Sequence, residues 1–111
     1  MDKKYKSNIY EKEIYIEFYG DIDDSVCPNY KEEISDIVKN NKNKNLVLDF
    51  KNVTFIDSSG VGFILGRYNQ LKTNRKKVYI TNTNTQIEKL FRISGIYTII
   101  GEYKKAKEVV K

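Results

Sequence analysis

The eight residues that decide the fold run Phe55-Ile56-Asp57-Ser58-Ser59-Gly60-Val61-Gly62. An apolar segment precedes them and a segment of helical periodicity follows, so two hydroxyls lie where a buried strand is expected to turn into a helix. A helix N-terminus carries unpaired backbone N–H groups and a partial positive charge, which favour a nearby anion. A serine here is therefore either a plain helix cap or a switch that gains about two negative charges on phosphorylation.

Predicted strands and helices alternate on both sides of this stretch. Apolar segments rich in β-branched or aromatic residues predict strands at 14–19, 46–50, 78–80 and 97–100, with a shorter partner strand at 7–10. Helical periodicity predicts one helix with Pro28 in its first turn, one from Gly60, one that begins at a capping-box sequence at 85–88 and ends at Gly95, and a short last helix at 104–111. This alternation predicts an α/β fold, with a mixed, mostly parallel sheet of four to five strands and helices packed against it.

Composition limits the chemistry of the protein. The 111 residues suffice for one domain, they contain no histidine, and Cys27 is the only cysteine. Histidine-dependent catalysis and the usual zinc sites are therefore excluded, and we expect neither a catalytic residue nor a metal site. The polar N-terminus lacks a signal peptide, and no apolar run approaches the roughly 20 residues of a membrane span, so we expect a cytoplasmic protein that binds no membrane.

The net charge of +5 allows two interpretations. A basic protein can bind nucleic acid, but the lysines here are interleaved with acidic residues along the chain, which favours an ordinary solvated surface. The glycines near Ser58 also suggest a nucleotide site, but Gly60 and Gly62 lack the third glycine of a dinucleotide-binding loop and the lysine of a P-loop. A nucleotide- or nucleic-acid-binding module therefore remains the weaker alternative.

Two groups of residues remain as candidate sites. Ser58 and Ser59 are open between capping and switching, and Gly60 and Gly62 would allow a partner's backbone to approach the helix start. Gly66 lies four residues after Gly62, and we expect the two together to allow close packing of another element. The acidic residues Asp21, Asp23 and Asp24 predict a turn that either serves only turn chemistry or shapes the surface beside Ser58. Distant ligands would be needed to make this turn a metal site.

The residues at 57–62 resemble the phosphorylation motif of anti-sigma factor antagonists, which carry a STAS domain (sulfate transporter and anti-sigma antagonist). The resemblance extends over nearly the whole chain. Residues 20–23 are similar to the family's turn before its first helix. Residues 63–72 are similar to the second helix of its sporulation members, and residues 90–100 to their third helix and the strand that follows it. It implies a single STAS domain over residues 1–111 and a regulatory protein rather than an enzyme.

The resemblance also implies a mechanism. The unphosphorylated antagonist binds an anti-sigma factor serine kinase and releases a sporulation sigma factor, phosphorylation switches it off, and a serine phosphatase resets it. Ser58 corresponds to the phosphoacceptor. The surrounding switch and partner-binding region comprises Asp21, Asp23, Asp57, Ser59, Gly60 and Gly62. The protein would need no cofactor, because the kinase uses the ATP, would not bind nucleic acid, and would be a monomer when free. A general stress-response antagonist of the same fold is the nearest alternative.

Overall fold

The computed structural model describes residues 4–102, which form a five-stranded mixed sheet and three α-helices. The strands lie in chain order across the sheet; β1 is antiparallel to β2, and the other neighbouring pairs are parallel. The predicted α/β class and mostly parallel sheet are confirmed, whereas the helix predicted at 104–111 lies outside the described residues. The elements are β1 (Tyr5–Ile9), β2 (Glu13–Ile22), α1 (Cys27–Lys39), β3 (Asn45–Ile56), α2 (Ser58–Thr73), β4 (Val78–Thr81), α3 (Thr85–Ser94), a 3₁₀ turn (Ile96–Thr98) and β5 (Gly101–Glu102).

Aromatic side chains join all three helices to one face of the sheet. Phe18 on β2 stacks against Phe50 on β3 with ring centroids 5.6 Å apart. Tyr30 of α1 lies 5.5 Å and Phe63 of α2 lies 6.1 Å from the Phe18 ring, and Phe91 of α3 lies 5.5 Å from Phe50. Crossovers between parallel strands are almost always right-handed, and with the strands in chain order this rule places successive helices on the same side of the sheet.

A buried carboxylate on β3 is fully engaged in hydrogen bonds. Asp49 is only 3% exposed, and it accepts hydrogen bonds from the Tyr15 hydroxyl at 2.6 Å, the Lys51 N–H at 2.8 Å and the Asn82 side-chain amide at 3.1 Å. A buried polar group with this many partners is a normal part of a folded core. Asp49 therefore joins β2, β3 and the segment after β4, and it is not a candidate site.

The chain after α3 differs from the prediction. Residues 97–100 do not form a strand: the chain makes the 3₁₀ turn first, and the last strand is Gly101–Glu102. Gly95 ends α3 in the left-handed conformation at φ 77°, as predicted, but its carbonyl then accepts from the N–H and the hydroxyl of Thr98 at 3.0 and 2.7 Å. These local bonds hold the segment in a turn. The start of α3 is also displaced by one residue, because Asn84 rather than Thr85 caps it.

Candidate partner-binding site at the start of α2

Asp57 is the residue that caps α2. It lies in an extended conformation directly after β3, and its Oδ1 atom accepts from the N–H groups of Ser59 at 2.9 Å and Gly60 at 3.4 Å. The Ser59 hydroxyl donates to the same oxygen at 2.5 Å. An aspartate at this position satisfies helix N–H groups and complements the helix dipole. The alternative in which a serine caps the helix is therefore wrong.

The two serines have different surroundings. Ser58 is the first residue of α2 and is exposed, and among residues 4–102 its hydroxyl has no hydrogen-bond partner. Ser59 is half-buried, and besides its bond to Asp57 it donates weakly to the Cys27 sulfur at 3.7 Å. Ser58 thus has no capping role and its hydroxyl is exposed, whereas the Ser59 hydroxyl is part of the structure that holds the helix start.

The acidic segment before α1 lies beside this helix start. Ile22 pairs with Ile56 across the sheet, and the Asp57 N–H donates to the Ile22 carbonyl at 3.2 Å. Asp21 is exposed and belongs to the end of β2, which runs to Ile22. The predicted turn therefore begins two residues later than expected, at Asp23. The left-handed conformation of Gly20, at φ 74°, accompanies register shifts in β2, and these let the strand continue past the glycine.

The carboxylate of Asp23 accepts hydrogen bonds within the turn. Its Oδ1 atom accepts from the Ser25 hydroxyl at 2.6 Å and the Ser25 N–H at 3.0 Å, and these bonds lower the pKa of Asp23.

Burial is the main cause of the raised pKa of the Cys27 thiol, and nearby carboxylates add to it. The carboxylates that raise the pKa of Cys27 are those of Asp57, Asp23 and Asp24. The acidic turn and the α2 cap therefore form one negatively charged region.

The glycines of α2 do not share one role. Gly60 is buried, and a Cβ atom there would lie 2.6 Å from Ile56 Cδ1 and 3.2 Å from Ile22 Cγ2. The absence of a side chain lets the first turn of α2 pack on the ends of β2 and β3. A Cβ at Gly62 or Gly66 would meet open space, so among the described residues the expected close packing at these two positions is wrong.

Sequence reasoning missed Arg67 as a site residue. Arg67 is 6% exposed and lies on the buried face of α2 together with Gly60, Ile64 and Leu71. The spacing of four, three and four residues between these positions is the helical repeat of a core face, and it would have indicated a buried arginine. Long basic side chains are rarely this buried, and the guanidinium of Arg67 lies over the Phe63 ring, 5.3 Å from its centroid, with no carboxylate of residues 4–102 as a partner.

Within residues 4–102, no group of three or more histidine, cysteine, aspartate or glutamate side chains is placed to hold a metal ion. None of the helices in this part of the chain is long and apolar enough to cross a bilayer.

The sequence profile of the STAS domain matches residues 4–109, so the chain belongs to the STAS domain family. The chain is 26% identical over 90 residues to the anti-sigma F factor antagonist of Paenibacillus polymyxa, covering 81% of this chain and 77% of that one. It is 25% identical over 96 residues to the anti-sigma-B factor antagonist of Staphylococcus aureus, covering 86% and 88%.

Solved structures of SpoIIAA, an anti-sigma factor antagonist, share the fold. The unphosphorylated form superimposes with a TM-score of 0.72 at 20% identity, over 96% of this chain and 94% of that one. The phosphorylated form of the Bacillus protein gives a TM-score of 0.73 at 21% identity, over 95% and 96%. The predicted resemblance to anti-sigma factor antagonists is thereby confirmed.

Proposed function

We propose that this protein is a cytoplasmic, monomeric anti-sigma factor antagonist that phosphorylation at Ser58 switches off. In its unphosphorylated form it binds an anti-sigma factor serine kinase, which then releases a sporulation sigma factor. The kinase uses ATP to phosphorylate Ser58, the complex dissociates, and a serine phosphatase restores the active form. The protein itself performs no catalysis and needs no cofactor.

The free hydroxyl of Ser58 carries this proposal. It lies exposed at the first residue of α2 without a hydrogen bond to the rest of residues 4–102, while Asp57 and Ser59 hold the helix start. A kinase can therefore use this hydroxyl without breaking the structure around it. The names of the relatives support the regulatory class, and SpoIIAA, which shares the fold, has a phosphorylated form.

Charge supplies the physical basis of the switch. A phosphate brings about two negative charges, and at Ser58 it would adjoin the carboxylate of Asp57. The N–H groups of Ser59 and Gly60 already bond to Asp57, so the phosphate would not find them free. A partner surface complementary to this acidic region would lose binding free energy on phosphorylation, and about 3 kcal/mol suffices for a loss of about 100-fold.

The acceptor can be identified with the purified protein, an anti-sigma factor serine kinase and ATP. We expect mass spectrometry of the digested product to locate the phosphate on Ser58, and the Ser58→Ala variant to remain unlabelled while it still binds the kinase. Label on Ser59 alone, or undiminished labelling of Ser58→Ala, would contradict the assignment.

Binding tests the consequence of the added charge. We expect Ser58→Asp to bind the kinase about 100-fold more weakly than the unmodified protein in calorimetry. Ser7→Asp, on the exposed edge strand β1, introduces the same charge elsewhere and is expected to bind normally. Equal weakening by both substitutions would show a general charge effect and refute a local switch.

The pathway is a separate question from the switch. The Staphylococcus aureus relative favours a general stress-response antagonist as the second candidate. We expect about tenfold tighter binding to an anti-sigma F factor than to an anti-sigma-B factor. The reverse preference would assign the protein to the stress pathway and leave the role of Ser58 intact. In a separate experiment, salt-dependent binding to DNA would support a nucleic-acid-binding module instead.

A further inference from the structure

A cleft of about 370 Å³ lies between α1 and α2, next to Ser59. Its walls are largely apolar, with Cys27 and Pro28 contributed by α1 and Phe63 by α2. Gly62 and Gly66 leave open space along one side, because neither has a side chain and a Cβ there would meet no atom within 4 Å. A volume of this size is within the range of small-molecule sites.

Arg67 is a buried cation that lines this cleft without a counter-ion. Its side chain is 6% exposed, its Nε atom has no hydrogen-bond partner, and no carboxylate of residues 4–102 lies within salt-bridge distance. The one hydrogen bond it makes within that range is long, 3.4 Å from Nη1 to the Lys31 carbonyl. Burial lowers the pKa of Arg67. The guanidinium lies over the Phe63 ring, 5.3 Å from its centroid, which offsets part of the cost of burying the charge. The buried Nε–H without a partner still costs stability.

We propose that this cleft binds a small organic anion, consisting of an apolar body and a single carboxylate that pairs with Arg67. A modest turn of the guanidinium would present its Nε and Nη2 atoms to the two carboxylate oxygens, the side-by-side geometry that arginine prefers. The body of the ligand would lie against Phe63 and Pro28, over the open side left by Gly62 and Gly66.

The surrounding charges favour a monoanion. The acidic region lies at the Cys27–Ser59 end of the cleft, whereas Arg67 and Lys31 lie together at the other end and provide a local positive charge there. A nucleoside polyphosphate needs several cations or a run of free backbone N–H groups. The N–H groups of Ser59 and Gly60 are already bonded to Asp57, so this cleft lacks such a run. The proposal does not depend on phosphorylation of Ser58.

Titration of the ¹⁵N-labelled full chain with hexanoate and phenylacetate tests the proposal. We expect at least one of them to cause saturable NMR shifts of the Gly62 and Gly66 amides and of the Arg67 Nε–H signal. Acetate, which lacks the apolar body, and 1-hexanol, which lacks the charge, are expected to bind about tenfold more weakly. Shifts that do not saturate, that scatter over surface lysines, or that hexanol reproduces equally would overturn it.

Two variants separate ligand binding from a purely structural role. Gly66→Leu fills the cleft, and its added atoms enter open space on a helix, so we expect a folded protein with about tenfold weaker binding. Asn69→Ala, on an exposed position of the same helix, should bind normally. Arg67→Met keeps the apolar stem, and we expect it to bind hexanol and hexanoate equally. Unchanged binding by Gly66→Leu would refute the site even if Arg67→Met fails to fold.

Discussion

Replacing Asp57 by alanine removes the acceptor of two backbone N–H groups and of the Ser59 hydroxyl. Loss of a helix cap costs about 0.5–2 kcal/mol, and loss of the charge at the N-terminus adds about 0.3–1 kcal/mol. We expect Asp57→Ala to lower the free energy of unfolding by about 2 kcal/mol, which lowers Tm by about 8 °C in a domain of this size. Urea unfolding should show a lower midpoint with an unchanged slope.

Three further variants make this prediction specific. Asp57→Asn keeps the acceptor and loses the charge, so its cost should be about 0.5 kcal/mol. Ser58→Ala should change stability by less than about 0.5 kcal/mol, because the Ser58 hydroxyl contributes no cap. Asp24→Ala, which removes an exposed acid from the neighbouring turn, serves as the charge control. If Ser58→Ala costs as much as Asp57→Ala, or if Asp57→Ala matches Asp24→Ala, the assignment of the cap is wrong.

Two other predictions concern a glycine pair and a surface acid. Gly60→Ala should lower the free energy of unfolding by about 1–3 kcal/mol, because its Cβ would crowd Ile56. Gly62→Ala should raise it by up to about 1 kcal/mol, because its Cβ meets open space on a helix. Equal effects in urea unfolding would contradict the described packing of Gly60. Hydrogen bonds lower the pKa of Glu88 below its ordinary value of 4.5. The ionised Glu88 carboxylate therefore contributes its full stabilisation above pH 4.5, and this stabilisation is lost as the pH falls through the lowered pKa. In a Glu88→Gln variant, the free energy of unfolding should fall less steeply with pH in this acidic range. A pH dependence identical to that of the unmodified protein would contradict this prediction.

Much of the fold could be predicted because periodicity and end signals agree with the packing. In α1, Tyr30, Ile34 and Val38 form the buried face, as their spacing indicates. The apolar run at 46–50 is buried throughout, as expected of a central strand. The chain after Gly95 could not be predicted, because its β-branched residues have strand propensity and only the local bonds of Thr98 hold the segment in a turn.

The candidate site was predicted in position but not in its internal organisation. The motif indicated a helix start with hydroxyls, but three adjacent residues, Asp57, Ser58 and Ser59, can each cap a helix. Which of them does so depends on where β3 ends, and strand ends are poorly specified by sequence. The burial of Arg67 was missed for another reason: a charged residue on an apolar face is ordinarily assigned to the surface.

The capping of α2 by Asp57 bears on how a partner would distinguish the unphosphorylated protein from the proposed phosphorylated form. Since Asp57 caps the helix and the Ser58 hydroxyl takes no part in the cap, a modification at Ser58 would require no backbone rearrangement. The two forms would then share one shape and differ in surface potential. This difference in surface potential would arise as soon as the phosphate is attached, without any refolding step. Dissolved salt would weaken it, because exposed charges are screened beyond about 8 Å at physiological ionic strength.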